Sequence, residues 1–161
     1  MPHARLSYFL LLGSNQDDPK AQIKQARQKI QSLPDTMIAK SSSLKRTKPY
    51  GKVDQADFYN QVIEVKSAQD PEAMMQILLD IETDLGRIRK EKWGPRVIDI
   101  DILLIEDMIL DTERLKVPHY DLHHRAFALD LLCEIAKDVV HPILQKTMRE
   151  LLEELDSHGG R

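Results

Sequence analysis

The sequence predicts an α+β fold in three layers, with helices on both faces of a mostly antiparallel sheet. Three observations predict it. Apolar residues switch between strand and helix spacing in the order strand, helix, strand, strand, helix, strand. Both helical segments open on Asp-Pro, at Asp18-Pro19 and Asp70-Pro71, a cap followed by proline at the first helical position. Two more helical patterns follow a short hairpin, enough to cover the second face of the sheet. The βαββαβ order is the ferredoxin-like arrangement, with its two helices on one face.

Each element has a local reason. Tyr8 to Leu12 is an unbroken apolar run of strand length, and Gly13-Ser14-Asn15 ends it. Ile23, Ala26, Ile30 and Leu33 mark a helix from Pro19 to Leu33, stopped by Pro34-Asp35. Met37 to Leu44 is expected as a strand, and Thr47 to Asp57 as a polar loop holding Pro49 and Gly51. Tyr59 to Lys66 alternates, with Gln61, Ile63 and Val65 facing away from Asn60, Val62 and Glu64. Met74, Leu78, Ile81 and Leu85 mark the second helix, which Gly86 ends. A basic loop runs from Gly86 to Arg96, and Val97 to Ile105 is a buried strand. A hairpin near Met108 to Val117 precedes two helices, one holding Phe127, Leu131, Leu132 and Ile135, the other Met148, Leu151, Leu152 and Leu155. Ser157 to Arg161 is expected to fray.

Composition bounds the function. The 161 residues suit one domain, 1–161, with a sizeable core. Hydrophobic content is 42%, charged content 30% and net charge −3, so nothing global favours nucleic acid or a membrane surface. One cysteine, Cys133, excludes an internal disulfide framework and a cysteine zinc cluster. Its neighbours Leu131, Leu132 and Ile135 predict a buried thiol. No apolar run approaches a membrane span, and Tyr8 to Leu12 is too short for a signal peptide. The expectation is a reducing compartment, the cytoplasm, and a monomer.

The segment from Trp93 to Asp101, W-G-P-R-V-I-D-I-D, carries the most chemistry. Strand side chains alternate, so Asp99 and Asp101 point the same way, roughly 6–7 Å apart, while Ile98, Ile100 and Ile102 enter a core. Two acids on a buried strand need a compensating cation. A hard metal such as Mg²⁺ fits, since it takes few protein oxygens and the rest from water and phosphate. The alternative is pairing with Arg96 or another basic side chain. Arg87, Arg89, Lys90, Lys92 and Arg96, then Arg114, Lys116, His119, His123, His124 and Arg125, form a positive density in a net negative chain. Acids holding Mg²⁺ and arginines around phosphate oxygens together point to a polyphosphate site. Gly13 ends the first strand, which this topology sets beside the acids, and a glycine there allows close backbone approach. No phosphate-binding loop of the G-x-x-x-x-G-K-[ST] type occurs, nor G-x-G-x-x-G. Phe58, beside Asn60, and Phe127, after Arg125, are suited either to core packing or to sandwiching a planar heterocycle.

These residues resemble a known family. K-W-G-P-R-V-I-D-I-D-I-L is similar to the signature of the 6-hydroxymethyl-7,8-dihydropterin pyrophosphokinases. Gly13-Ser14-Asn15, Arg46-Thr47, Phe58-Tyr59-Asn60, Gly86-Arg87-Ile88-Arg89, Thr112-Glu113-Arg114-Leu115, Val117-Pro118-His119-Tyr120-Asp121 and Arg125-Ala126-Phe127 follow in the expected order. The resemblance spans about Ser7 to Leu155 and implies a three-layer α/β/α fold on a ferredoxin-like core. It implies transfer of pyrophosphate from MgATP to the hydroxymethyl group of a reduced pterin, leaving AMP, in folate biosynthesis. By position, Asp99 and Asp101 would bind two Mg²⁺ ions. Arg87, Arg96, Arg114, His119, Tyr120 and Arg125 would contact ATP or neutralise the moving group, with Trp93 also on the nucleotide. Glu82 and Ile102 match positions lining the nucleotide site. Thr47, Tyr50, Phe58, Asn60 and Phe127 match pterin positions, the pterin stacking between the two phenylalanines. Arg89, Lys90 and Trp93 would lie in a loop closing over the substrates to exclude water. Four positions depart from the pattern: Lys48 where proline is common, Leu79 where glutamine is frequent, Lys116 where threonine is frequent, and Phe58 in place of a tyrosine. The segment between Arg89 and Trp93 is one residue short.

Two other classes fit parts of the chain. A nucleotidyltransferase also pairs Gly-Ser with a D-x-D strand, but its two motifs lie about a helix-length apart, whereas most of the domain separates Gly13 from Asp99. A ferredoxin-like nucleic-acid-binding module would use Arg87, Arg89, Lys90, Lys92 and Trp93, yet has no need of the two acids.

Overall fold

A computed structural model describes residues 4–16, 18–48, 56–86 and 97–157. Strand β1 (Leu6–Ser14) leads to helix α1 (Pro19–Gln31), then β2 (Thr36–Ser41), β3 (Lys45–Thr47) and β4 (Phe58–Ser67). Helix α2 (Pro71–Asp84) precedes β5 (Asp99–Ile105), the hairpin β6 (Leu110–Asp111) and β7 (Lys116–Val117), a 3-10 turn at Leu122–His124, and helices α3 (Ala126–Ala136) and α4 (Met148–Ser157). The main sheet runs β2-β4-β1-β5, with β3 also pairing β4, and every pairing in it is antiparallel.

The expected βαββαβ order is present. Asp18 and Asp70 cap their helices by accepting from the backbone N–H of Ala21 and Ala73, and proline occupies the first turn of each. Gly86, just past α2, takes φ +105°, a left-handed stop that a side chain would strain.

Strand alternation divides the core in two. Tyr8, Leu10, Leu12, Ile63, Val65, Ile100 and Ile102 face α1 and α2, meeting Ile23, Ile30, Met74 and Leu78. Phe9, Leu11, Val62, Leu103 and Leu104 face α3 and α4, meeting Leu129, Leu132 and Leu151. The sheet is therefore the middle of three layers. Leu103 and Leu104 share a face because β5 slips register against β1 between Phe9 and Leu10, a β-bulge.

Two expectations need correction. The strand predicted from Met37 to Leu44 stops at Ser41, and a short strand, Lys45–Thr47, lies partly in the predicted loop. Ser42 divides them: its hydroxyl accepts the Val62 N–H at 2.9 Å, while its own N–H donates to the Val62 carbonyl at 2.8 Å. A side chain thus replaces a backbone group in the ladder. Cys133 is half-buried at the rim of the second core rather than enclosed. Ser157 closes α4, and residues 158–161 of the expected tail lie outside the described residues. Among the described residues, no helix is long and apolar enough to cross a membrane.

Candidate active site

The register of β1 assembles the site. Gly13 stands opposite Asn60 on β4 and opposite Asp99 on β5. Sequence positions far apart thus become neighbours at one end of the sheet. Asn60 is buried, and its Nδ2 donates to Thr47 Oγ1 at 2.9 Å. A Cβ on Gly13 would lie 2.8 Å from Asn60 Oδ1, so glycine is what lets the amide lie against the strand. Phe58, Asn60 and Val62 share one face by alternation, the face that α3 covers.

A cavity of about 200 Å³ opens there, lined by Gly13, Thr47, Phe58, Asn60, Phe127 and the two acids, with Leu11, Lys48 and Arg125. That volume is below the ~300–1,000 Å³ usual for ligand pockets, and suits one small planar ring system. Arg125 lies 4.8 Å over the Phe127 ring and 3.7 Å from Asp101. Asp101 is thus paired with a basic side chain, Arg125. Arg46 pairs with Asp57 at 2.7 Å, tying together the two ends of the connection that follows β3.

A second cavity, about 340 Å³, follows the outer edge of β5. Met75, Leu78, Leu79 and Glu82 of α2 form one wall, and Arg114, Lys116, His119 and Tyr120 another. Glu82 is buried, and its Oε2 accepts the Ile100 N–H at 2.7 Å. A side chain from α2 thus satisfies a backbone donor at the sheet edge. By the two-residue repeat, Ile102 turns its N–H and C=O toward the same edge. Gln76 holds the Arg114 guanidinium at 2.7 Å, a partner that no sequence signal marked.

His119 is placed by the bulge: its N–H donates to the Leu103 carbonyl at 2.9 Å. Its Nδ1 accepts the Asp121 N–H at 3.2 Å, so the neutral ring carries its proton on Nε2. Burial holds the His119 pKa below the usual histidine value and Arg125 pushes it the same way, against the opposing pull of Asp101 and Asp121. The ring stacks on the exposed Tyr120, centroids 4.9 Å apart.

Asp99 and Asp101 line both cavities. Two carboxylates opening on shared space are a donor set that fits Mg²⁺, which keeps water and phosphate in its remaining positions. Among the described residues no group of three or more His, Cys, Asp or Glu could hold a metal, so a closed protein cage of the structural-zinc kind is not formed there.

Of the residues expected at the site, Thr47, Phe58, Asn60 and Phe127 come together in the first cavity, and Glu82, Ile102, Arg114, His119 and Tyr120 in the second. Arg125 lies in the first. Lys48 also lines the first cavity, and Leu79 and Lys116 the second, so these departures from the family pattern all fall on site walls. Tyr50, Arg87, Arg89, Lys90, Trp93 and Arg96 lie outside the described residues.

Comparisons with known proteins identify the family. Residues 9–137 match the model of 7,8-dihydro-6-hydroxymethylpterin-pyrophosphokinase (HPPK). A 2-amino-4-hydroxy-6-hydroxymethyldihydropteridine pyrophosphokinase of Haemophilus influenzae is 37% identical over 95% of each chain. One of Methylorubrum extorquens is 40% identical over 94% of each. Among solved structures, a Plasmodium falciparum HPPK-DHPS superposes with a TM-score of 0.76 at 19% identity, a likeness of fold. It covers 97% of this chain, which spans under half (46%) of that longer one. The rival nucleotidyltransferase and nucleic-acid-binding readings find no support in these matches. The chain belongs to the 7,8-dihydro-6-hydroxymethylpterin-pyrophosphokinase family.

Proposed function

We infer that this protein transfers pyrophosphate from ATP to the hydroxymethyl group of 6-hydroxymethyl-7,8-dihydropterin, an enzyme of folate biosynthesis. The hydroxymethyl oxygen attacks the β-phosphorus and gives up its proton to solvent, the bond from the β-phosphorus to the α–β bridging oxygen breaks, and AMP leaves with that oxygen. The observation that carries this reading is the pair Asp99 and Asp101, common to the walls of both cavities. Reacting groups held one in each cavity would meet at the acids, and alignment of this kind supplies much of the rate in phosphoryl-type transfers.

The pterin occupies the smaller cavity between Phe58 and Phe127, with the Asn60 amide on its polar edge. Thr47 orients that amide through the hydrogen bond already described. The nucleotide lies along the β5 edge. Apolar side chains of α2 and Leu115 cover its base, and the backbone of Ile102 presents edge groups for hydrogen bonding. Arg114 and His119, through Nε2–H, serve the phosphates, with Tyr120 at the rim. Arg125 is placed between the acids and the pterin wall, where it neutralises the transferring group. Two Mg²⁺ ions held by Asp99 and Asp101 would supply charge neutralisation on the triphosphate. The resemblance assigns Arg87 and Arg96 to the same phosphates, Tyr50 to the pterin, and Arg89, Lys90 and Trp93 to a closing loop. Our reading further includes one catalytic domain acting as a monomer in the cytoplasm.

Formation of AMP by the purified protein, with ATP, Mg²⁺ and the pterin, tests it. Release that requires the pterin is expected. A folded protein that makes no AMP would overturn the reading.

A further inference from the structure

The walls of the smaller cavity come from different layers. Phe58 and Thr47 stand on neighbouring strands of the sheet, paired across β3 and β4, whereas Phe127 stands on α3. Something must fix the distance between sheet and helix if a flat ring is to fit between them. β3 is a poor candidate to do this alone, since it has three residues and, among the described residues, pairs only with β4.

Two polar links join that strand region to α3. Lys45 Nζ lies 2.8 Å from Asp130 Oδ2, with the side chains 37% and 18% exposed. Ser43 donates twice to Glu134, from its N–H to Oε1 at 2.8 Å and from its hydroxyl to Oε2 at 2.9 Å. The spacings match. Two residues of extended chain span about 6.6–6.8 Å, and four residues of helix about 6 Å. Ser43 meets Glu134 and Lys45 meets Asp130, so strand and helix run in opposite directions with their links in step. Thr47 follows Lys45 by two residues, and Phe127 precedes Asp130 by three, about one turn of α3; both line the cavity.

We propose that Lys45 and Asp130 are positioning residues for the pterin, an ionic brace that sets the width of the slot between β4 and α3. Ser43 and Glu134 form its second rung. The proposal rests on the reading of the smaller cavity as the pterin site. Neither brace residue lines that cavity, so their action is through Thr47 and Phe127. The Lys45–Asp130 pair is partly shielded from water, which makes its geometry better defined than that of a fully exposed pair.

The test compares wild type with Asp130→Asn, Lys45→Met and the exchanged pair Lys45→Asp with Asp130→Lys. Pterin KM, ATP KM, kcat and Tm are measured for each, together with equilibrium binding of the pterin followed by its own fluorescence. The single variants are expected to weaken pterin binding by roughly 3–10-fold, with ATP KM and Tm nearly unchanged. The exchanged pair is expected to recover most of that loss. Unchanged pterin binding in both single variants would overturn the brace. So would a loss spread equally over pterin and ATP. The fluorescence arm reads the brace even if the wild-type protein makes no AMP, an outcome that would overturn the proposed reaction instead.

Discussion

Replacing Gly13 with alanine perturbs the site through a single methyl group. The added carbon would stand 2.8 Å from Asn60 Oδ1, well inside contact distance, and 3.8 Å from the Tyr59 carbonyl oxygen. Asn60 is only 6% exposed, so its amide has little room to move aside. It must rotate, and rotation breaks the 2.9 Å bond to Thr47. Losing that buried bond costs about 1 kcal/mol. An off-rotamer side chain adds roughly 0.5–1.5 kcal/mol. Reduced freedom of the unfolded chain returns about 0.4–1 kcal/mol. The net is a destabilisation of about 0.5–2 kcal/mol, or roughly 1–8 °C in Tm at this chain length. The functional effect is larger and one-sided. If Asn60 binds the polar edge of the pterin, misplacing it removes one or two hydrogen bonds, about 10- to 100-fold in pterin KM. ATP KM should hold, because Gly13 and Asn60 line the smaller cavity and not the larger one. The assay is AMP release with each substrate titrated in turn, beside a thermal melt. Equal pterin KM in wild type and variant would refute the assignment of Asn60. A matching rise in ATP KM would refute the separation of the two cavities.

Two further outcomes follow from the same contacts. Glu82→Ala leaves the buried Ile100 N–H without its carboxylate partner, so a loss of about 1–3 kcal/mol is expected in denaturant unfolding, with ATP KM raised and pterin KM unchanged. Glu82→Gln keeps an acceptor oxygen and should recover much of that stability; equal losses in both would discount the hydrogen bond. The second outcome concerns pH. Burial is the main cause holding His119, His123 and His141 below the ordinary histidine value of 6.5. As pH falls the unfolded chain therefore takes up these protons first, so stability is full above about 6.5 and declines below it. His141 is buried, and its Nδ1 accepts the N–H groups of Ile143 and Leu144, a role that protonation of this nitrogen removes. Unfolding midpoints that do not fall between about pH 6.5 and 5.5 would contradict this.

The fold was legible where periodicity and capping agreed. Asp18 and Asp70 mark helix starts that the structure places at the following residue, and the β-α-β-β-α-β order follows from apolar spacing alone. β3 was not legible, because Lys45-Arg46-Thr47 has no apolar alternation and is made a strand by its pairing with β4. The break at Ser42 depends on a side chain entering the ladder of a distant strand, which local propensity does not encode. The bulge in β5 is equally hidden, since Leu103 and Leu104 are both apolar and would suit either face. At the site, the two acids and Gly13 were legible as neighbours once the strand order was known. The pairing of Asp101 with Arg125, the hold of Gln76 on Arg114 and the links from α3 to Ser43 and Lys45 were not. Each joins residues distant in sequence through side-chain reach, which no spacing rule predicts.

The central claim is that Asp99 and Asp101 make one reaction centre out of two cavities. AMP formation with Mg²⁺, ATP and 6-hydroxymethyl-7,8-dihydropterin, measured for wild type, Asp99→Ala and Asp101→Ala, tests it most directly. The account predicts AMP only when the pterin is present, and a loss of at least about 100-fold in kcat for each variant with the fold retained. Either variant turning over at the wild-type rate, or AMP appearing without pterin, would contradict it.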